Sequence, residues 1–213
     1  MVRQPSGAVG CIHPMASSGS LSGRLVLIIG PSGVGKSVVL RQLKARHPEF
    51  VFPRSATTRE RRPGEADDLY RFMTDAAFDQ LVQQGKVLEW ATVHGGARYG
   101  TLEEEIIPPI EQGNVVVREV DIQGFHSIRS HPLFSGEHPR FLLRSIFILP
   151  ESRASLIERI RKRAPITEEE LARRVDSMDR ELQDAALCTA QIVNREGRLD
   201  ATVRQVEQVI MGE

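Results

Sequence analysis

The chain has 213 residues, 40% hydrophobic and 26% charged, which suits one domain able to bury a core without disulfides or metals. Lys and Arg number 28 and Asp and Glu 28; this balance excludes a protein that holds nucleic acid by bulk positive charge, and equally a polyacidic disordered chain. The two cysteines, Cys11 and Cys188, stand far apart in no metal-ligand spacing, which excludes a disulfide framework and points to a reducing, cytoplasmic compartment.

Residues 1–22 are rich in glycine and serine, with Arg3 as their only basic residue and no apolar stretch, unlike a secretory signal. They read as a disordered leader, or as the product of an upstream start codon with Met15 as the true first residue. Serines without acids leave a weak organellar transit peptide as the third reading. The longest apolar runs, Leu25–Ile29 and Ile146–Leu149, are far short of the roughly 18 residues that span a bilayer, so no membrane partner is expected.

Leu25–Ile29 ends in Gly-Pro-Ser-Gly, the profile of a buried strand entering a loop. Ser37–Arg46 reads as a helix with Val38, Leu40 and Leu43 on its buried face. A basic, turn-rich stretch runs from Arg54 to Asp68, too polar for core. Leu69–Met73 and Val87–Val93 read as strands bracketing a helix at Asp75–Gln84. Thr101–Gln112 reads as a helix begun by Thr101, with Glu104 three residues later completing a capping box. Val115–Val120 and Ser145–Leu149 are buried-strand candidates. Pro150-Glu151-Ser152 opens a long charged helical stretch, broken near Pro165 and restarted by Thr167 with Glu168, Glu169 and Glu170 in its first turn. Gln191–Val193 is a last short strand and Leu199–Ile210 a closing amphipathic helix. Strands alternating with helices predict an α/β fold, a mostly parallel sheet covered on both faces.

Gly30-Pro31-Ser32-Gly33-Val34-Gly35-Lys36-Ser37 fits the phosphate-loop pattern G-x-x-x-x-G-K-[ST] in full. Glycines let backbone N–H groups converge on phosphate oxygens, and the helix beginning near Lys36 aims its positive end at the same anion. Lys36 is placed to reach the β- and γ-phosphates and the Ser37 hydroxyl to ligate Mg²⁺. This is a nucleoside-triphosphate site.

Phosphate loops serve many reactions, and residues 54–65 discriminate among them. Arg54, Arg59, Arg61 and Arg62 fall together beside the hydroxyls of Ser55, Thr57 and Thr58, a set that suits a second phosphate. Read alone, the cluster serves equally as a solvated basic loop.

Ser55-Ala-Thr-Thr-Arg59 followed by Arg62-Pro-Gly-Glu65 resembles the nucleotide-monophosphate segment of guanylate kinases. So do Leu88-Glu89-Trp90-Ala91, Tyr99-Gly100-Thr101, Asp121-Ile-Gln-Gly124 and Ser145-Ile-Phe-Ile-Leu-Pro150, in the family's order over about residues 24 to 211. The resemblance implies a parallel core sheet with flanking helices (23–54, 103–154 and 182–211), a small mixed GMP-binding insert (55–102) and a helical lid (155–181), with Mg²⁺, ATP and GMP as partners. It implies that Ser55, Arg59, Arg62 and Tyr99, with Glu65 and Tyr70, bind the GMP phosphate. Glu89 would accept from guanine N1–H and the 2-amino group, with Ser55, Gly100 and Thr101 completing the base pocket. Adenine lacks that donor pair, so an unpaired buried carboxylate would penalise it. Asp121, helped by Glu119, would sit by GMP and, with Ser37, by the metal, partly through water. Lys36 and Arg59, with lid arginines Arg159, Arg163 and Arg174, would neutralise charge on the transferring phosphoryl. Asn194 matches a position near the adenine.

The chain departs from the family pattern at several points. It has one residue fewer between Glu65 and Tyr70, one more before Tyr99, Arg98 for a usual tyrosine and Glu119 for a usual aspartate. Ala164-Pro165 stands where glycine is general and Arg195 where an acid is common. None removes a group the chemistry requires. Two alternatives remain: a phosphate-loop kinase with another phosphorylated acceptor, against which Glu89 argues, and a silent guanylate-kinase-like interaction module, against which Gly35, Lys36 and Ser37 argue. Oligomeric state is open.

Overall fold

The computed structural model describes residues 23–63, 65, 69–92, 96–163 and 166–212. The expected leader, Val93 at the end of a predicted strand, and Ala164-Pro165 lie outside them, as do the residues that carry the altered spacings before Tyr70 and Tyr99.

Four strands form a wholly parallel sheet: β1 (Arg24–Ile29), β6 (Val115–Glu119), β7 (Leu142–Pro150) and β8 (Ala190–Asn194), in the order β6-β1-β7-β8. Every residue of β1 is buried, as expected of a strand covered on both faces. Its side chains alternate. Val26 and Ile28 face a core made with Val39 and Leu43 of helix α1 (Lys36–Arg46) and Val203, Val206 and Ile210 of α7 (Leu199–Met211). Leu25, Leu27 and Ile29 face the other way, toward Ile106 and Ile110 of α3 (Glu103–Glu111) and Phe125 and Ile128 of α4 (Ile122–Ser130).

A second sheet, order β3-β2-β5-β4, is built from β2 (Ser55–Thr57), β3 (Tyr70–Phe72), β4 (Val87–Thr92) and β5 (Arg98–Leu102). β2 pairs parallel to β3 and antiparallel to β5, so the sheet is mixed. Phe78 of α2 (Asp75–Gln83) seals it with Ala56 and Leu102. The charged stretch after β7 is α5 (Arg153–Arg163) and α6 (Glu168–Gln183), the latter capped by the Thr167 hydroxyl, which accepts from Glu170 N–H at 3.2 Å.

Three expectations are corrected. Thr101 does not cap a helix. It lies in β5, and α3 starts at Glu103, whose N–H donates instead to Lys86 O at 2.9 Å. The buried face of α1 is Val39 and Leu43, one turn apart, with Leu40 partly buried beside them as expected, while Val38 is 38% exposed, because the helix begins at Lys36 and this sets its phase. The basic stretch from Arg54 also holds strand β2, in which Ala56 and Thr57 are fully buried. The helix α4 and the strand β5 had no forecast of their own.

Candidate active site

The phosphate loop leaves the carboxyl end of β1, where open α/β sheets place their ligands. Gly35 holds the loop-to-helix junction at φ 107°, a conformation costly for any residue with a Cβ. A Cβ there would also stand 2.6 Å from Asn194 Nδ2. Beyond it, the first N–H groups of α1 have no turn above them to bond, which suits an anion. Lys36 Nζ donates to Gly30 O at 2.6 Å and to Pro31 O at 3.3 Å, so the loop closes on its own lysine.

The register of β1 on β6 sets Ile28 opposite Glu119 and so brings that carboxylate to the loop. Ser37 Oγ donates to Glu119 Oε2 at 3.1 Å, and Lys36 Nζ lies 3.8 Å from Glu119 Oε1. Asp121 is engaged differently. It caps α4, its Oδ1 accepting from Gly124 N–H at 2.8 Å. Asn194 is buried at the end of β8, where its Nδ2 donates to Val34 O at 2.8 Å. From α5, Arg159 Nη1 reaches Val34 O at 3.5 Å and lines a cavity of about 360 Å³ with Ser32, Gly33, Lys36 and Ser37.

The second sheet gathers the other candidates. Arg59 Nε donates to Tyr99 Oη at 3.0 Å and its Nη2 to Glu65 Oε1 at 2.7 Å, with its guanidinium 5.4 Å from the Tyr70 ring centre. Glu65 also accepts from the Arg62 N–H at 3.0 Å. The Arg59 guanidinium, aided by that N–H, holds the Glu65 carboxyl at a pKa of about 2. Tyr70 meets Tyr99 edge-on at 5.8 Å between ring centres. Cross-strand pairing sets Glu89 of β4 against Thr101 of β5, whose fully buried hydroxyl donates to Glu89 Oε1. Gly100 is hemmed in: a Cβ would approach Glu89 O to 2.9 Å. The Glu89 side chain is 12% exposed, and burial pushes its pKa above the ordinary carboxylate value, opposed by the Thr101 hydroxyl and the Arg118 charge.

One cavity of about 460 Å³ lies between the two groups, lined by Ser37 of α1 and Glu119 of the parallel sheet and by Ser55 and Tyr70 of the mixed one; Lys36, Arg59, Glu89 and Tyr99 do not line it. Other candidates stand apart. Arg174 pairs with Glu170 at 2.9 Å on the exposed face of α6, and the Arg163 side chain lies outside the described residues. Among the described residues no cluster of three or more His, Cys, Asp or Glu is set to hold a metal. Nor does any described helix have the length and apolarity to cross a membrane.

Sequence reasoning passed over Arg118. It lies on β6 after three buried valines, is 8% exposed, and lines the shared cavity. The signal was an arginine directly after three consecutive valines.

A family model described as guanylate kinase matches residues 22–213. The guanylate kinase of Nostoc sp. (strain PCC 7120 / SAG 25.82 / UTEX 2576) is 39% identical over 193 residues, covering 90% of this chain and 92% of that protein. The guanylate kinase of Nocardia farcinica (strain IFM 10152) is 43% identical over 162 residues, 75% of this chain and 80% of that protein. Among solved structures, the guanylate kinase from Anaplasma phagocytophilum superposes with a TM-score of 0.63 at 23% identity, covering 90% of this chain and 86% of that one; it shares the fold.

Proposed function

This chain belongs to the guanylate kinase family, and from that premise we infer that it transfers the γ-phosphoryl group of ATP to GMP, giving ADP and GDP. The observation that carries the reading to this chain's own residues is the shared cavity. Ser37 of the phosphate loop and Ser55 of the mixed sheet line one space of about 460 Å³, so the donor-binding and acceptor-binding parts border each other.

ATP binds through residues 30–37, with loop N–H groups and Lys36 around the phosphates. GMP binds against the mixed sheet. Arg59, Arg62, Tyr70 and Tyr99 hold its phosphate, with Glu65 fixing the Arg59 fork. Glu89, Thr101 and Ser55 face the base, and Glu89 supplies the acceptor that guanine's N1–H and 2-amino donors require. The chemistry needs no covalent intermediate and no strong base, because positioning and charge neutralisation carry phosphoryl transfer. The oxygen donors Ser37 and Glu119, 3.1 Å apart, suit a hard divalent cation, with Asp121 near through water. Mg²⁺ held there would neutralise charge between the β- and γ-phosphates.

We divide the chain into a core (23–54, 103–154, 182–211), an insert (55–102) and a lid (155–181). Lid closure would carry Arg159, Arg163 and Arg174 toward the transferring group and exclude water. Arg174 must then leave Glu170. A cytoplasmic location is part of this reading, supported by a half-buried free thiol at Cys188. The test is a coupled assay of ADP release with GMP, AMP, CMP and UMP. Turnover with GMP at least a hundredfold above the others is expected. No turnover with GMP overturns the reading, and equal turnover with AMP overturns the role of Glu89.

A further inference from the structure

Arg118 is held in an unusual way for a buried charge. Its side chain leaves the edge strand β6 of the parallel sheet and meets the mixed sheet at Ser55, to whose Oγ Nη2 donates at 3.2 Å, while Nη1 donates to Pro53 O, ahead of β2, at 3.4 Å. Nη2 also lies 3.7 Å from Glu89 Oε1, a loose ion pair. Nε is buried and has no hydrogen-bond partner among the described residues. A guanidinium carries five N–H donors, and a buried one without full partners is costly. Here the protein supplies two long bonds and one distant carboxylate. The same side chain lines the cavity that Ser37, Ser55, Tyr70 and Glu119 share. The Arg118 side chain therefore borders a space that a ligand acceptor can enter, while its unpartnered Nε stays buried.

We propose that Arg118 is a specificity-determining residue that donates a hydrogen bond to the 6-oxo group of the purine base, beside the Glu89 carboxylate that accepts from its N1–H and 2-amino groups. The proposal rests on the reading of Glu89 as the base-recognising residue. Along its edge guanine presents an acceptor at position 6, then a donor at N1, then a donor at the 2-amino group. Opposite it, the protein presents the Arg118 donor next to the Glu89 acceptor, with the Thr101 hydroxyl donating to Oε1, the same oxygen that Arg118 approaches. The pattern is complementary group for group, and arginine against the 6-oxo oxygen of guanine is a recurrent pairing in nucleic-acid recognition. Ser55 joins the same contact. Because its oxygen accepts from Arg118, its own proton remains available for the base oxygen. Adenine fails at both positions: its 6-amino donors meet the guanidinium, and its N1 acceptor meets the carboxylate. Glu89 alone tests only the donor half of that pattern. Arg118 tests the acceptor half.

The test compares GMP with 6-thio-GMP, whose sulfur is a weak acceptor at position 6, and with IMP, which keeps the 6-oxo group and lacks the 2-amino group. Wild-type enzyme is expected to favour GMP over 6-thio-GMP in kcat/KM by about tenfold to a hundredfold, the range for a hydrogen bond from a charged donor. In Arg118→Met that preference should shrink to about threefold or less, through a higher KM for GMP, while KM for ATP stays the same. IMP should fall in parallel with GMP. Arg118→Lys should restore part of the preference, since it returns charge without the fork. If Arg118→Met lowers GMP, IMP and 6-thio-GMP by one common factor, Arg118 is a counter-ion or packing residue and the proposal fails. Glu89→Gln separates the two failures: if it leaves the preference of GMP over IMP and AMP intact, the underlying reading of the base pocket is wrong whatever Arg118 does. Should Arg118→Met not fold, by circular dichroism, the wild-type ratio and Arg118→Lys decide: a wild-type ratio near one, or no loss in Arg118→Lys, overturns the proposal.

Discussion

Asn194 at the end of β8 donates from its side-chain amide to the Val34 carbonyl oxygen at 2.8 Å, tying the far edge of the parallel sheet to the phosphate loop. Thr202 of α7 holds the other end of the same amide, its hydroxyl donating to Asn194 Oδ1 at 3.1 Å. The resemblance to guanylate kinases placed Asn194 near the adenine. In this chain one N–H of its amide is held by the loop's backbone, and we propose that Asn194 acts on ATP through the shape of the loop.

Asn194→Ala should therefore remove the buried link between the Val34 carbonyl and the Thr202 hydroxyl, leaving them only the longer contacts to Arg159 at 3.5 Å and Arg198 at 3.3 Å, at a cost of about 1 kcal/mol or more. Thermal unfolding reads the stability loss, and steady-state kinetics should show KM for ATP rising well above any change in KM for GMP. An equal rise in both would mean that the bond serves general stability alone.

Gly35 lies beside the same amide nitrogen. Gly35→Ala adds a Cβ that would stand 2.6 Å from Asn194 Nδ2 and forces alanine to φ 107°. Gly85→Ala, at φ 66° with open space around it, carries only the left-handed backbone penalty of about 1–2 kcal/mol. Gly35→Ala should lose more stability than Gly85→Ala in chemical denaturation and should abolish ATP binding, which Gly85→Ala should keep. Equal losses would show that the Asn194 contact is immaterial.

Lys36→Met removes the cation that the loop holds between the Gly30 carbonyl and Glu119. Loss of one preorganised charged donor should lower kcat by about 10²–10³. The fold rests on buried aliphatic residues of β1 and α1, so the melting temperature should stay within a few degrees. A variant with wild-type kcat would remove Lys36 from the phosphate-binding set.

On the role proposed for Glu89, GMP use should depend on pH. Burial raises its carboxyl pKa above the ordinary 4.5, against the Thr101 hydroxyl and the Arg118 charge and with the Asp121 charge. Above that raised value the group is ionised and accepts from guanine. As pH falls through it, the added proton removes an acceptor, and kcat/KM for GMP should decline along a limb lying above the usual carboxylate range. Glu89→Gln has no such proton to gain, so its profile should lose this limb while sitting at least tenfold lower throughout. A limb that persists in Glu89→Gln must come from another group.

Legibility in the sequence followed the range of the interaction. The phosphate loop could be read because eight consecutive residues carry both its backbone conformation and its chemistry, from Gly30 to Ser37. The burial of β1 could be read from its unbroken aliphatic run. Thr101 misled: followed three residues later by Glu104, it has the local pattern of a capping box, yet pairing with β4 draws it into β5 and turns its hydroxyl to Glu89. Val38 misled for a related reason, since the phase of α1 depends on where the loop releases the chain. Neither fact is local.

The sequence by itself determined that a triphosphate loop joins a buried strand to a helix, and that a second set of arginines and hydroxyls follows. Residues close along the chain carry those features, and their spacing suffices. Only the tertiary structure decided that Glu119 rather than Asp121 lies against Ser37, through the register of β1 on β6, and that Arg118 stands between Ser55 and Glu89. Those contacts join residues 29 to 82 positions apart, linking β6 to α1 and to two strands of the other sheet. Which side chains share so small a buried space is settled by strand order and packing, and no short window of sequence contains either.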